Sequence, residues 1–179
     1  MHWSDLEERQ PRLAATAGRR LVDPGVLLVV TLRADGTPRL SPVEPFVLEG
    51  RLLLSMMWGS LKARDLERDP RVLVHSIVTN RDGAEGELKV RGEAMVVEDR
   101  DMQEHYAAAV GEQLGWEPVV GRFHLFEVDL HHVTFIRYDH GTGDQHVATW
   151  PPAKEFVRRG TGATTVGPPA PVTDLLRAE

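Results

Sequence analysis

Apolar and polar positions alternate in short runs along most of the chain, and the period of that alternation changes twice. "SDLEERQ" places Ser4 three residues before Glu7, a capping-box spacing, and "PRLAATAGRRLV" puts proline at a helix start followed by Leu13, Ala14, Ala17 and Leu21. Two short helices broken near Pro11 are predicted, ended by Asp23-Pro24-Gly25. The helical period then gives way to "VLLVVTL", which is β-branched and apolar throughout and reads as a strand buried on both faces. Asp35-Gly36 marks a hairpin turn into "RLSPVEPFVL". Pro42 and Pro45 remove ladder donors from that second strand, so it is expected at an edge or bulged.

Glu49-Gly50 turns into a third strand, "RLLLSMM", and "SLKARDLERD" is a helix stopped at Pro70. "RVLVHSIV" and "ELKVRGEAMVV" are further strands, with Gly92 a predicted bulge. "DRDMQEHYAAAVGEQLG" is a helix opening on acids, "RFHLFEVDLHHVTFIRY" one long or two short strands, and "DQHVATW" a last strand. Hairpins dominate and helices are few. This order predicts a mainly β (α+β) fold, a split antiparallel β-barrel with peripheral helices. Residues 1–24 are expected as an N-terminal helical segment and 25–150 as the barrel. Residues 151–179, with five of the twelve prolines, are expected as an extended C-terminal tail.

Bulk properties narrow the function. A net charge of -6 argues against nucleic acid as a partner. The absence of cysteine removes thiolate metal sites, disulfides and thiol nucleophiles. "VLLVVTL", the longest apolar run, is too short to span a bilayer, and "MHWSDLEERQPRL" lacks the apolar core of a signal peptide. A cytoplasmic protein without a membrane partner is expected.

The most informative junction is Gly59-Ser60-Leu61-Lys62, where a strand hands over to a helix. A helix start leaves N–H groups unpaired and carries partial positive charge. Ser60 suits an N-cap, but Lys62 in the first turn opposes the helix dipole unless an anion binds there. A plain cap with a solvated lysine and a phosphate grip are both compatible with the spacing. Met56, Met57 and Trp58 just before it can flank a planar ring or fill core and rim. The late histidines and "DHGTGDQH" show no recognised ligand spacing, and no metal is assigned. His75 and Ser76, on the strand after the helix, can reach such a ring or belong to the core, the core reading being favoured, and Trp150 reads as a tail anchor or a cover for a neighbouring subunit's site.

The stretch "VVTLRADGTPRLSPVEPFVLEGRLLLSMMWGSLKARDLERDPRVLVHS" resembles the first three-strand module of the pyridoxamine 5'-phosphate oxidase-like, FMN-binding split-barrel superfamily. The likeness covers Leu21 to Val97 well and Phe123 to Tyr138 weakly. It implies an oxidoreductase in which FMN, or alternatively the deazaflavin coenzyme F-420, exchanges a hydride with a small conjugated substrate. The other implied reading is a non-catalytic flavin- or haem-binding carrier or sensor. By the resemblance, Ser60 and Lys62 hold the coenzyme phosphate with Arg39 directed toward it. Leu40, Ser41, Pro42 and Val43 lie along the ring, and Leu54, Ser55 and Met56 beside the ribityl chain and ring. The superfamily further implies a homodimer with a shared site. "SPVEP" and "ELKVRG" stand where pyridoxamine-phosphate oxidases proper carry a longer basic signature and an R-Q-V-R pattern, so the likeness is to the superfamily rather than to that activity.

Overall fold

The structure is a computed structural model that describes residues 1–178, with side chains described to Leu176. Helices α1 (Trp3–Arg9) and α2 (Pro11–Ala17) run into a wide π turn (Gly18–Val22). Strands β1 (Leu27–Leu32), β2 (Pro38–Val43), β3 (Pro45–Leu48) and β4 (Arg51–Met57) follow, then α3 (Leu61–Arg68), β5 (Arg71–His75) and β6 (Glu87–Val96). After α4 (Arg100–Leu114) come β7 (Phe123–Asp139), β8 (Asp144–Trp150), β9 (Lys154–Gly162), β10 (Thr165–Pro171) and a last turn, Leu175–Ala178.

All ten strands belong to one antiparallel sheet. One edge of β7 pairs with β6, while its other edge is shared by β4 at its start and β8 at its end. The sheet therefore forks at β7. One branch runs through β8 and β9 to β10; the other curls through β4 to β3. On the far side the sheet continues through β6, β5 and β1 to β2. β2 and β3 are consecutive in the chain, yet no ladder joins them; only Glu44 lies between. That unpaired seam is what makes the barrel split.

Side chains alternate across each strand, so β4 feeds two cores. Leu52, Leu54 and Met56 join the main core with Leu27, Val29, Val90 and Phe126. Leu53 faces a second cluster under α4, with Tyr106, Val110 and Phe123. The prolines of the second strand act as expected: β2 is a sheet edge, and the strand breaks before Pro45. The predicted Gly92 bulge is present, because a side chain there would meet the Asp129 carbonyl oxygen at 2.0 Å.

Three expectations change. "VLLVVTL" is not buried on both faces: Leu27, Val29 and Thr31 are buried, while Leu28, Val30 and Leu32 are half-exposed on the outside. The first helix is capped at His2, whose N–H donates to Asp5 at 2.8 Å, so the Ser4–Glu7 spacing is not the cap. Residues 154–171 form the β9–β10 hairpin instead of a loose tail, and Trp150 is buried in the main core.

Candidate functional site

The Gly59 corner is built by three interactions. Gly59 takes φ 70°, a left-handed turn that favours glycine, and ends β4 against the start of α3. Its N–H donates to His124 Nε2 at 3.0 Å, which leaves the ring proton on Nδ1, 2.9 Å from the Glu67 carboxylate. Trp58 stacks flat on the same imidazole, with centroids 4.7 Å apart and an interplanar angle of 11°. Register explains the meeting, since His124 on β7 sits opposite Met56 on β4. Histidine count alone does not reveal this; only the pairing of two strands far apart in sequence does.

Ser60 has the extended backbone of an N-cap (φ -63°, ψ 148°), yet its side chain caps nothing. The hydroxyl oxygen is buried and has no hydrogen-bond partner among the described residues. A plain cap would accept a backbone N–H from the first turn. An orphaned buried hydroxyl at a helix N-terminus fits an anion's oxygen instead. The first turn of α3 holds no acidic residue. Lys62 lies there, its Nζ donating to the Pro42 carbonyl at 3.1 Å. Burial lowers the lysine's pKa and the nearby Glu44 carboxylate opposes that shift.

Lys62, Pro42, Val43, Ser55 and Met56 line one cavity of about 290 Å³, together with Glu44. Half of the residues singled out in the sequence thus converge here. The others take different places. Arg39 reaches α3, not open solvent: its Nε donates to the Asp65 carboxylate at 2.6 Å. Asp65 is buried and also accepts from Thr31 Oγ1 at 2.9 Å and Arg68 at 3.3 Å. Burial pushes its pKa up, but the hydrogen bonds from Arg39, Thr31 and Arg68 outweigh it and hold the group below its ordinary value. Ser41 is half-buried at the edge of the sheet, opposite Val29, and Leu40 is exposed. Trp58 is exposed beside the corner.

His75, His140 and the two aspartates of the late loop have structural partners. His75 is held by the Ser76 carbonyl and Glu87, and the Ser76 hydroxyl accepts from Leu88 N–H. Asp139 stabilises the Gly141–Thr142 turn, and Asp144 accepts from Gly160 N–H and Arg159. His140 bonds the Asp82 carbonyl.

The fold is that of a split barrel with its helix-start cradle at the rim. A family profile described as pyridoxamine 5'-phosphate oxidase matches residues 16–137, and the chain belongs to that family. No curated protein matches it in sequence. Among solved structures, one titled a putative pyridoxamine 5'-phosphate oxidase from Listeria innocua is similar at TM-score 0.57 and 15% identity, over 72% of this chain and 95% of that one. HutZ, the haem storage protein from Vibrio cholerae, is similar at TM-score 0.54 and 21% identity, over 68% of this chain and 89% of its own. An F-420 reductase is similar at TM-score 0.51 and 19% identity, over 65% and 94%. At these identities the likeness shows the shared fold.

Proposed function

We propose that this chain is a flavin-dependent oxidoreductase that binds FMN non-covalently at the start of α3. The observation that carries the reading is the orphaned, buried Ser60 hydroxyl, one residue before the helix, with Lys62 in the same turn. Ser60 and the unpaired N–H groups of the first turn would hold the phosphate oxygens, and Lys62 would supply the full positive charge. An anion there also offsets the desolvation that depresses the lysine.

Arg39, anchored by Asp65 through Nε, has terminal amino groups with no hydrogen-bond partner among the described residues, and these complete the charge around the phosphate. The ring would then lie along Leu40, Ser41, Pro42 and Val43 of β2 and against Ser55 and Met56 of β4, with Trp58 at its rim. When bound, the flavin supplies the hydride chemistry. The protein's residues grip the phosphate, shield one face of the ring with β2, and bound the cavity where a substrate meets it. A homodimer would close the exposed side.

The deazaflavin F-420 is the alternative coenzyme, a reading supported by the F-420 reductase among the similar folds. Titration of the purified chain with FMN and with F-420 tests both, followed by turnover with a reductant. Binding without turnover would mark a carrier, and a Soret band a haem protein. A colourless protein that binds neither coenzyme overturns the proposal. Lys62→Ala is expected to weaken FMN binding by about 1.5–3 kcal/mol while the protein stays folded. Unchanged affinity would place the phosphate elsewhere.

A further inference from the structure

Glu44 stands at the seam of the barrel, between β2 and β3, and it faces two cavities. One is the coenzyme cavity already described. The other measures about 490 Å³, within the range of small-molecule sites. Part of its wall is apolar: Phe46 from β3, then Tyr106, Val110 and Leu114 from α4. Gln113 adds a neutral amide, and the charged groups are of one sign, since Glu44 and Asp23 contribute carboxylates and no lysine, arginine or histidine lines it among the described residues.

The Glu44 charge acts across the seam. On one side burial lowers the Lys62 pKa and the carboxylate opposes that shift; on the other, burial raises the Tyr106 pKa and the carboxylate adds to it. Ser55 lines the coenzyme cavity, and its neighbour Leu54 pairs with Pro45 at the start of β3, beside Glu44. The two chambers are therefore neighbours that share one carboxylate. Neither Glu44 nor Asp23 forms an ion pair among the described residues, so both charges remain available to a ligand.

We propose that this second cavity is the substrate pocket of the coenzyme site and that it takes a small apolar amine in its cationic form, an inference that rests on the coenzyme reading above. The apolar wall accepts the hydrocarbon part, and Glu44 receives the ammonium N–H groups at the boundary between the chambers. A phosphate ester would meet two carboxylates and no cation here. The ligand thus differs from the phosphorylated amine after which the family is called.

Calorimetric titration of the full-length protein without coenzyme tests the pocket, with phenethylamine, hydrocinnamate and phenethyl alcohol as probes of matched shape and different charge. The amine is expected to bind and the carboxylate not to. Glu44→Gln should weaken the amine about tenfold or more, the scale of a hydrogen bond to a charged group. Leu114→Trp, at a half-exposed wall position that the fold tolerates, should block amine binding by filling the chamber.

The proposal is overturned if the amine shows no saturable binding, if hydrocinnamate binds as tightly, or if both substitutions leave amine affinity intact. A parallel FMN titration of the wild-type protein separates the two readings. FMN binding without discrimination among the probes sinks the pocket alone. Selective amine binding without FMN binding sinks the coenzyme reading alone.

Discussion

His124 shows how one side chain sets the geometry of a backbone corner. Its Nε2 is the acceptor for Gly59 N–H, and its Nδ1 proton goes to Glu67. Removing the acceptor leaves that N–H unpaired next to Ser60, whose buried hydroxyl has no partner among the described residues. His124→Phe keeps a flat ring under Trp58 but cannot accept. FMN affinity is expected to fall about threefold to tenfold, as for one lost neutral hydrogen bond. Riboflavin, which lacks the phosphate, should bind as before. Equal losses for both, measured by fluorescence titration, would show that the histidine supports the barrel at large and not the anion corner.

Asp65 does for α3 what His124 does for the corner. It is a buried carboxylate on a helix, and it fastens that helix to β1 through Thr31 and to β2 through Arg39. Asp65→Asn removes the charge that three donors converge on and should cost about 3 kcal/mol in urea unfolding, the lower end for a broken buried pair because Arg68 is well exposed. Because the folded pKa lies below the ordinary value of 3.8, the contribution is complete above that value. It is lost as pH falls through the folded pKa. The difference between wild type and variant should therefore shrink toward acid and be unchanged from neutral pH down to about pH 5; a constant difference at low pH would refute the assignment.

Gly92→Ala tests the bulge in the same way: its methyl has no room beside the Asp129 carbonyl, and a loss of about 3 kcal/mol is expected. Features of this local kind were legible from the chain. Asp35-Gly36, Glu49-Gly50 and Gly92 announce turns and a bulge because their backbone demands are local. The partners of Asp65 and His124 were not, because helix packing in the first case and strand register in the second bring them together over 34 and 65 residues. The β9–β10 hairpin was missed for a related reason. Pro168, Pro169 and Pro171 read as breakers, yet on the outermost strand Pro169 and Pro171 turn their missing donors away from β9, and Pro168 falls at a register shift.

For the molecule as a whole, the seam at Glu44 borders the cavity that Lys62 lines. The corner beside it carries apolar side chains that the monomer does not cover: Met57 is 81% exposed, Trp58 61% and Leu61 58%. Exposed apolar groups flanking a cavity are what a second copy of the chain would bury. The homodimer implied by the sequence resemblance therefore has a specific expectation attached. At micromolar concentration the protein should sediment at twice its 20.0 kDa chain mass. Met57→Glu places a charge on a side chain with almost no contacts of its own, so the fold should be untouched while the dimer weakens. If a second copy helps to enclose the site, FMN affinity should then fall with dilution in the variant at concentrations where the wild type is unaffected. A wild-type protein that sediments as a monomer, or a Met57→Glu variant with intact assembly and coenzyme affinity, would mean that each chain completes its site alone.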